Sequence, residues 1–505
     1  MLAITEMRLY RVVGMFSLLS FSQVQHPLYS QEMFGATLGN YAGVNGLQLN
    51  PSSMLGSKTY LDINLFSVDG FIQNNYLYMD RSDYKVSNFF SAGYELPSHH
   101  EKYGTEFRNF YVYNNSRSTD AFAQTRINGP GAMFIYGEHA FAITTGARSV
   151  VSAKNVPHEI SNFAYLGLNY RPQHNINYQE DQPFRMGGLA WAEVGLSYAY
   201  TLYARHYNQI SAGITVRRLF GYAGIYLKSN AADYVVLDDS TISVRNFNGQ
   251  VGYALPVNYE DNSFWNGNLV KGGGFSGDIG ITYTRLVSMH TEDYFTRPCA
   301  QRYNDYICRI GVALIDVGAI HFRSHAEKYA IENRSSYWDD VAGFEFQNTH
   351  QFMDTVSYKF YGDNTASYRG NSFYMWLPAA LSIQFDYHYS KYWYMNASLV
   401  YGFDLGPASV SRPAQISITP RFETRNFEAS LPLSLYNWEK PRIGLALRYY
   451  YVTIGTEKLG QFFNFSNFSG MDLYFSLHLY LDKGKSWGRA GGCGEIDYRL
   501  RSQYR

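Results

Sequence analysis

Cysteine is scarce, with three residues in a chain of 505. That is too few for a disulfide scaffold, and no Cys-x-x-Cys pair or Cys/His cluster offers a zinc site. Net charge is also missing. The 42 basic and 42 acidic side chains cancel, which leaves no basic field for a polyanion and argues against nucleic acid as a partner. Long apolar runs are absent beyond the N-terminal region, so no transmembrane helix is read. Recognisable catalytic spacings are lacking too. Gly272-Gly273-Gly274-Phe275-Ser276-Gly277 matches a dinucleotide fingerprint in form, but Asp278-Ile279-Gly280-Ile281-Thr282-Tyr283 continues as a strand where that site needs a helix. His99-His100, Glu180-Asp181 and Asp339-Asp340 read as solvated loop charges. No cofactor, no metal and no catalytic residue is therefore assigned, and the chain is not expected to be an enzyme.

Aromatic side chains are abundant. The 47 Tyr, 34 Phe and 7 Trp make up 17% of the chain, alongside 44 Gly. Rings with one polar edge suit the boundary between lipid and water, and transmembrane barrels carry girdles of them. A mean hydropathy of −0.29 fits strands that alternate lipid-facing and lumen-facing residues.

The N-terminus reads as an export signal over residues 1–30. Arg8 and Arg11 precede Val12-Val13-Gly14-Met15-Phe16-Ser17-Leu18-Leu19, an apolar run too short to span a bilayer. Cleavage fits before Gln23, after Ser20 and Ser22, or before Gln31, after Ser30. An export signal with no later stop-transfer helix implies a secreted, periplasmic or outer-membrane protein.

The hydrophobic period is two. Leu473, Phe475, Leu477, Leu479 and Leu481 share one face of a strand; Tyr474, Ser476, His478 and Tyr480 share the other. The pattern recurs at 61–65, 193–200, 210–217, 383–389 and 443–451. Its polar face holds Asp62, Asn64, Gln384, Asp386, His388, Arg448 and His478 with many Gly and Ser, where a soluble sandwich would show Lys and Glu. These seven residues are read as lumen-facing. Leu314-Ile315-Asp316-Val317 breaks the alternation. The expected fold is all-β: an antiparallel up-and-down transmembrane barrel of about fourteen strands over 58–481, followed by a short basic tail at 482–505. Gly129-Pro130-Gly131 and Asn437-Trp438-Glu439-Lys440-Pro441 are predicted hairpin turns. The stretches 81–119, 150–188 and 324–376 are predicted long loops, with a short helix near 349–359. Cys299 and Cys308 bracket a short polar stretch and are expected to pair, leaving Cys493 over.

Between the signal and the first strand lies a segment rich in small residues, Gly39 to Ser53. It contains Asn50-Pro51-Ser52. Here the sequence resembles the fatty-acid-transporter-like barrels of the FadL and PorV types, which carry an Asn-Pro-Ala motif in a segment packed inside the barrel. It is most similar to an uncharacterised Bacteroidota outer-membrane family within that group, through Asn40 to Ser53, Lys271 to Tyr283, Arg309 to Ala319 and Ile416 to Leu433. The resemblance favours cleavage before Gln31. It implies an outer-membrane location, with residues 31–57 as a plug in the lumen and lipid as the surroundings. It also implies passive transport of a hydrophobic or amphiphilic small molecule. The alternatives are an adaptor that binds secretion or gliding machinery, or a structural barrel without transport. Pro51 lacks an amide hydrogen, which disfavours a regular central strand in the segment. Asn50 is the residue expected to reach lumen-facing partners.

Overall fold

The computed structural model describes residues 32–483, apart from 92, 101–106, 114–116, 265–266, 291–297, 342 and 344–345. The predicted signal, most of the predicted tail and Cys493 lie outside the described residues. Fourteen antiparallel strands form one closed barrel. They are β1 (Thr59–Asn74), β2 (Thr119–Asn128 and Gly131–Tyr136), β3 (His139–Val156) and β4 (Phe184–Arg205). β5 (Asn208–Val236), β6 (Ile242–Ala254 and Gly272–Leu286) and β7 (Tyr306–Phe322 and Glu327–Trp338) follow. Next come β8 (Tyr368–Gly370, Phe373–Trp376 and Ala380–Ser390), β9 (Trp393–Gly402) and β10 (Gln415–Glu423). The last are β11 (Phe427–Ser430 and Leu433–Tyr436), β12 (Lys440–Ile443 and Leu445–Tyr449), β13 (Val452–Thr456) and β14 (Gly470–Asp482). β14 closes on β1 through pairs such as Asp62↔Tyr480 and Asn64↔His478. Closure leaves the sheet without an edge, which is what lipid requires of a spanning sheet.

The wall is turned inside out relative to a soluble protein. Leu196, Ile214, Val216, Ile279, Ile281, Val312, Ile418 and Ile454 are exposed on the outer surface, while Thr215, Asp278, Ser398, Ser417 and Thr419 on the alternate parity are buried inside. Apolar outside and polar inside is the arrangement a bilayer selects. One end of the barrel has short turns at 137–138, 206–207, 391–392, 424–426 and 450–451. The other end carries the long connections at 75–118, 157–183 and 457–469. Beyond that end β5, 29 residues long, continues as a ribbon with the first part of β6 and the second part of β7. A helix, α1 (Thr349–Tyr361), packs beside that ribbon and begins at an Asn348 cap whose side chain accepts from the Gln351 amide.

Three expectations require correction. Gly129-Pro130-Gly131 is not a hairpin. β1 pairs with both halves of β2, through Asn64↔Gly131 and Ser67↔Asn128, so the triplet is a kink within one strand. Pro130 breaks the ladder locally, and Asn64 Nδ2 donates to the Gly129 carbonyl at 2.9 Å in compensation. The stretch 324–376 is not simply a loop, since it contains β7's second part and the start of β8. Cys308 has a free thiol, so it does not pair with Cys299. The reason lies in the strand. Cys308 shares the outward parity of Ile310 and Val312. Cys299 lies in the short turn Pro298–Ala300, and the next residue, Gln301, is drawn inward by the Ile135 carbonyl at 2.8 Å.

Candidate functional site: the filled lumen

Residues 32–57 lie against the inner wall without joining its ladder. Short helical turns at Phe34–Thr37, Gly43–Gln48 and Pro51–Gly56 satisfy part of their backbone. Their apolar side chains fill patches of wall: Val44, Leu47, Met54 and Leu55 meet Met133, Ile135, Ala140 and Ala142. Phe34 and Leu49 meet Ala313, Ile315 and Val400.

Asn50 caps the turn it precedes. Its Oδ1 accepts from the Ser52 amide at 3.0 Å and the Ser52 hydroxyl at 2.6 Å. Its Nδ2 donates to Thr282 at 3.3 Å and to Gln384 at 3.2 Å. Pro51 opens the turn at the position where its missing hydrogen costs nothing. Three strands leave room for this turn by omitting a side chain. A Cβ on Gly213 would stand 2.6 Å from the Pro51 and Ser52 backbone, and one on Gly280 would stand 2.2 Å from Asn50 Oδ1. Gly213 and Gly280 are paired in register across β5 and β6, and Gly311 on β7 completes the gap, opposite Thr282.

The structure places each predicted lumen residue as follows. Asp62 accepts from the Val44 amide at 2.9 Å and pairs with His478 Nδ1 at 3.1 Å. His478 Nε2 contacts Asn45 at 2.9 Å, and Asn64 accepts from Ser67 at 2.7 Å. Gln384 donates to the Leu49 carbonyl at 3.2 Å. Asp386 accepts from Tyr306 and Arg421. Arg448 pairs with Glu428 at 3.1 Å and lies over the Tyr41 ring. His388 stands nearer the short-turn end, stacked on Tyr394 and paired with Asp305 at 3.1 Å. A cavity of about 450 Å³ remains between the segment and the wall, lined by Asn50, Thr282, Arg309, Gln384 and Asn396. Its lining mixes these polar side chains with apolar ones, Leu38, Leu49, Leu55 and Leu286 among them.

Above the segment lies a layer of ion pairs that sequence reading did not assemble. Arg148 holds Asp316 by two bonds of 2.7 and 2.9 Å. Arg217 holds Asp278 at 2.8 Å, and the Asp316 amide donates to Asp278 at 2.8 Å. Glu193 accepts from Trp191 at 2.8 Å and lies 3.7 Å from both arginines. Arg412 joins Asp316 at 3.2 Å and also reaches Glu32. Asp316 is there because β7 bulges: its φ is +57° and the register with β6 slips between Val317 and Leu314. The signal was the broken alternation at 314–317. Above the ions comes an apolar layer of Phe71, Phe122, Leu189, Trp191, Ile320, Phe322, Phe373 and Tyr436.

A family profile described as a family of unknown function (DUF5723) matches residues 51–457. Among solved structures, a P. putida toluene transporter, TodX, aligns at 8% identity with TM-score 0.38, over 88% of this chain and 95% of that one. A monoaromatic hydrocarbon channel, CymD, aligns at 9% identity with TM-score 0.30, over 90% and 98%. A Pseudomonas aeruginosa FadL homologue aligns at 10% identity with TM-score 0.22, also over 90% and 98%. No curated protein matches.

Proposed function

We propose, for a chain that belongs to the DUF5723 family of unknown function, that it is an outer-membrane barrel for passive passage of hydrophobic or amphiphilic small molecules. The observation that carries this reading is the aromatic layer at the long-loop end of the lumen. A structural barrel has no need to spend its lumen face on Phe71, Phe122, Trp191, Phe322 and Phe373. An apolar solute gains from leaving water for such surroundings, by roughly 25 cal/mol per Å² of surface removed from water. The ion-pair layer and residues 32–57 then close the path beneath it. They hold the wall through side chains and short turns rather than through a β-ladder, so they can yield while the barrel persists.

Trp191 is almost fully buried in that layer and serves as the reporter. A brominated fatty acid should quench its emission saturably in the detergent-solubilised protein, and the saturable part should vanish in Trp191→Phe. Quenching that rises linearly with concentration, or that Trp191→Phe leaves intact, would remove the transport reading.

The adaptor reading has one observation in its favour. The ribbon beyond the barrel and its neighbouring loops leave Phe264, Tyr337 and Tyr358 exposed, and such residues gathered into one patch would offer a protein contact. Removing residues 339–367 distinguishes the two. Fatty-acid quenching survives the removal if the barrel transports, whereas an adaptor loses its assembly and shows no quenching at all.

A further inference from the structure

The connection 403–414 between β9 and β10 belongs to the long-loop end, yet it runs down inside the barrel. Ser409 bridges to Trp376 in parallel, and the Trp376 amide donates to the Ala408 carbonyl at 2.9 Å. Ala408 and Val410 complete the apolar layer. The Ser411 amide donates to Ser152 Oγ on β3 at 2.9 Å. One residue further, Arg412 enters the ion-pair layer with its side chain only 3% exposed.

Arg412 touches three separate parts of the molecule. Its Nη1 donates to Asp316 on the β7 bulge at 3.2 Å and to the Pro378 carbonyl in β8's break at 3.3 Å. Its Nε donates to Glu32 Oε1 at 2.9 Å. Glu32 opens the described part of the segment that fills the lower lumen, and its other carboxylate oxygen is buried with no hydrogen-bond partner among the described residues. The Arg412 guanidinium therefore makes the hydrogen bonds of this buried carboxylate, with Arg126 a second cation acting on it through space.

We infer that Arg412 is a latch between the outer face and the plug: the Arg412–Glu32 pair keeps residues 32–57 seated, and displacement of the 403–414 connection releases them. Only Ser411 separates Val410, in the apolar layer, from Arg412. A molecule entering that layer must move Val410, and a shift of the connection by about an ångström stretches the 2.9 Å bond from Arg412 to Glu32 beyond hydrogen-bond length. Once Arg412 leaves, Glu32 loses the cation hydrogen-bonded to it among the described residues and is driven toward water. The latch itself stands on contacts in the structure. Release by an apolar molecule rests on the transport reading.

Liposome swelling in a small neutral sugar tests the latch in the full chain, with barrel folding checked by gel mobility before and after heating. Glu32→Gln and Arg412→Gln should each raise swelling several-fold over wild type, and the double variant should rise no further than either single one, since both remove the same bond. Folded single variants that swell at the wild-type rate would overturn the latch, as would effects that multiply in the double variant. Should Arg412→Gln fail to fold, Glu32→Gln carries the test alone, because it leaves Arg412 paired with Asp316. Saturable quenching of Trp191 by brominated fatty acid, with wild-type swelling in the folded variants, would sink the latch and leave transport standing. Leaky variants without quenching would support the latch and sink transport.

Discussion

His350 shows how much one side chain can report about its surroundings. Its Nδ1 lies 2.8 Å from Glu260 and its Nε2 lies 2.7 Å from Glu327. A neutral imidazole has one hydrogen to donate, so two carboxylates call for the imidazolium. Burial opposes that charge, but the hydrogen bond and charge of Glu327, then those of Glu260, outweigh it and raise the pKa above the ordinary histidine value. The sign follows from linkage. The group contributes fully to docking of α1 below the ordinary histidine pKa, and that contribution is lost as pH rises through the raised folded value. Cleavage within 339–367 by a protease of flat pH profile should therefore increase from pH 6 toward pH 9 (both values are experimental settings, bracketing about 6.5). His350→Gln should cleave at one rate throughout. A wild-type rate that falls with pH would contradict the imidazolium assignment.

At the scale of the element, the plug's seat depends on what the wall leaves out. Gly213 and Gly280 face the Asn50–Ser52 turn from neighbouring strands, and the nearest atoms to a Cβ on Gly213 are backbone. Backbone cannot rotate away as a side chain can. Gly213→Val should thus cost about 1–3 kcal/mol of packing, borne by the plug rather than by the wall. The expected result is a barrel that folds, with residues 32–57 open to proteolysis and swelling above wild type. Gly277→Val is the control, because on β6 a Cβ at Gly277 meets only an ordinary contact of 3.5 Å with the Thr215 carbonyl. Equal protease resistance in the two variants would show that the turn is not seated against Gly213. The same scale explains two misreadings. Gly129-Pro130 has the composition of a turn, and only its pairing with β1 on both sides makes it a kink. Asp316 breaks the alternation in sequence, but the bulge that turns it inward exists only against β6.

For the whole molecule, the closed sheet makes a physical prediction. Every strand is hydrogen-bonded on both sides, and β14 returns to β1, so the wall has no free edge from which to unravel. The protein should fractionate with the outer membrane, and it should migrate faster unheated than boiled in a dodecyl sulfate gel. Recovery in the soluble periplasmic fraction, or identical mobility before and after boiling, would contradict the barrel in a membrane.

Alternation is a local property, carried by each residue and its neighbours two away, and for that reason the sequence alone determined the all-β fold and the polarity of the two faces, while the strand count came only as about fourteen because breaks within one strand look like turns between two. Glu193, Thr215, Arg217 and His478 stand on the polar parity in sequence and on the inner wall in the structure. The resemblance carried by Asn50-Pro51-Ser52 implied a segment within the lumen, and the Asn50-capped turn found there is likewise built from adjacent residues. Tertiary structure decided everything that depends on register or on the path of a loop. Arg148, Arg217, Asp278 and Asp316 become a network only because four strands are staggered by particular amounts. Cys308 turned outward because of its parity in β7, which a nine-residue offset from Cys299 does not specify. Arg412 joined Glu32 across 380 positions of chain because the 403–414 connection folds down into the barrel, where the space left by the other twelve connections and the plug, not any short-range signal, sets its course.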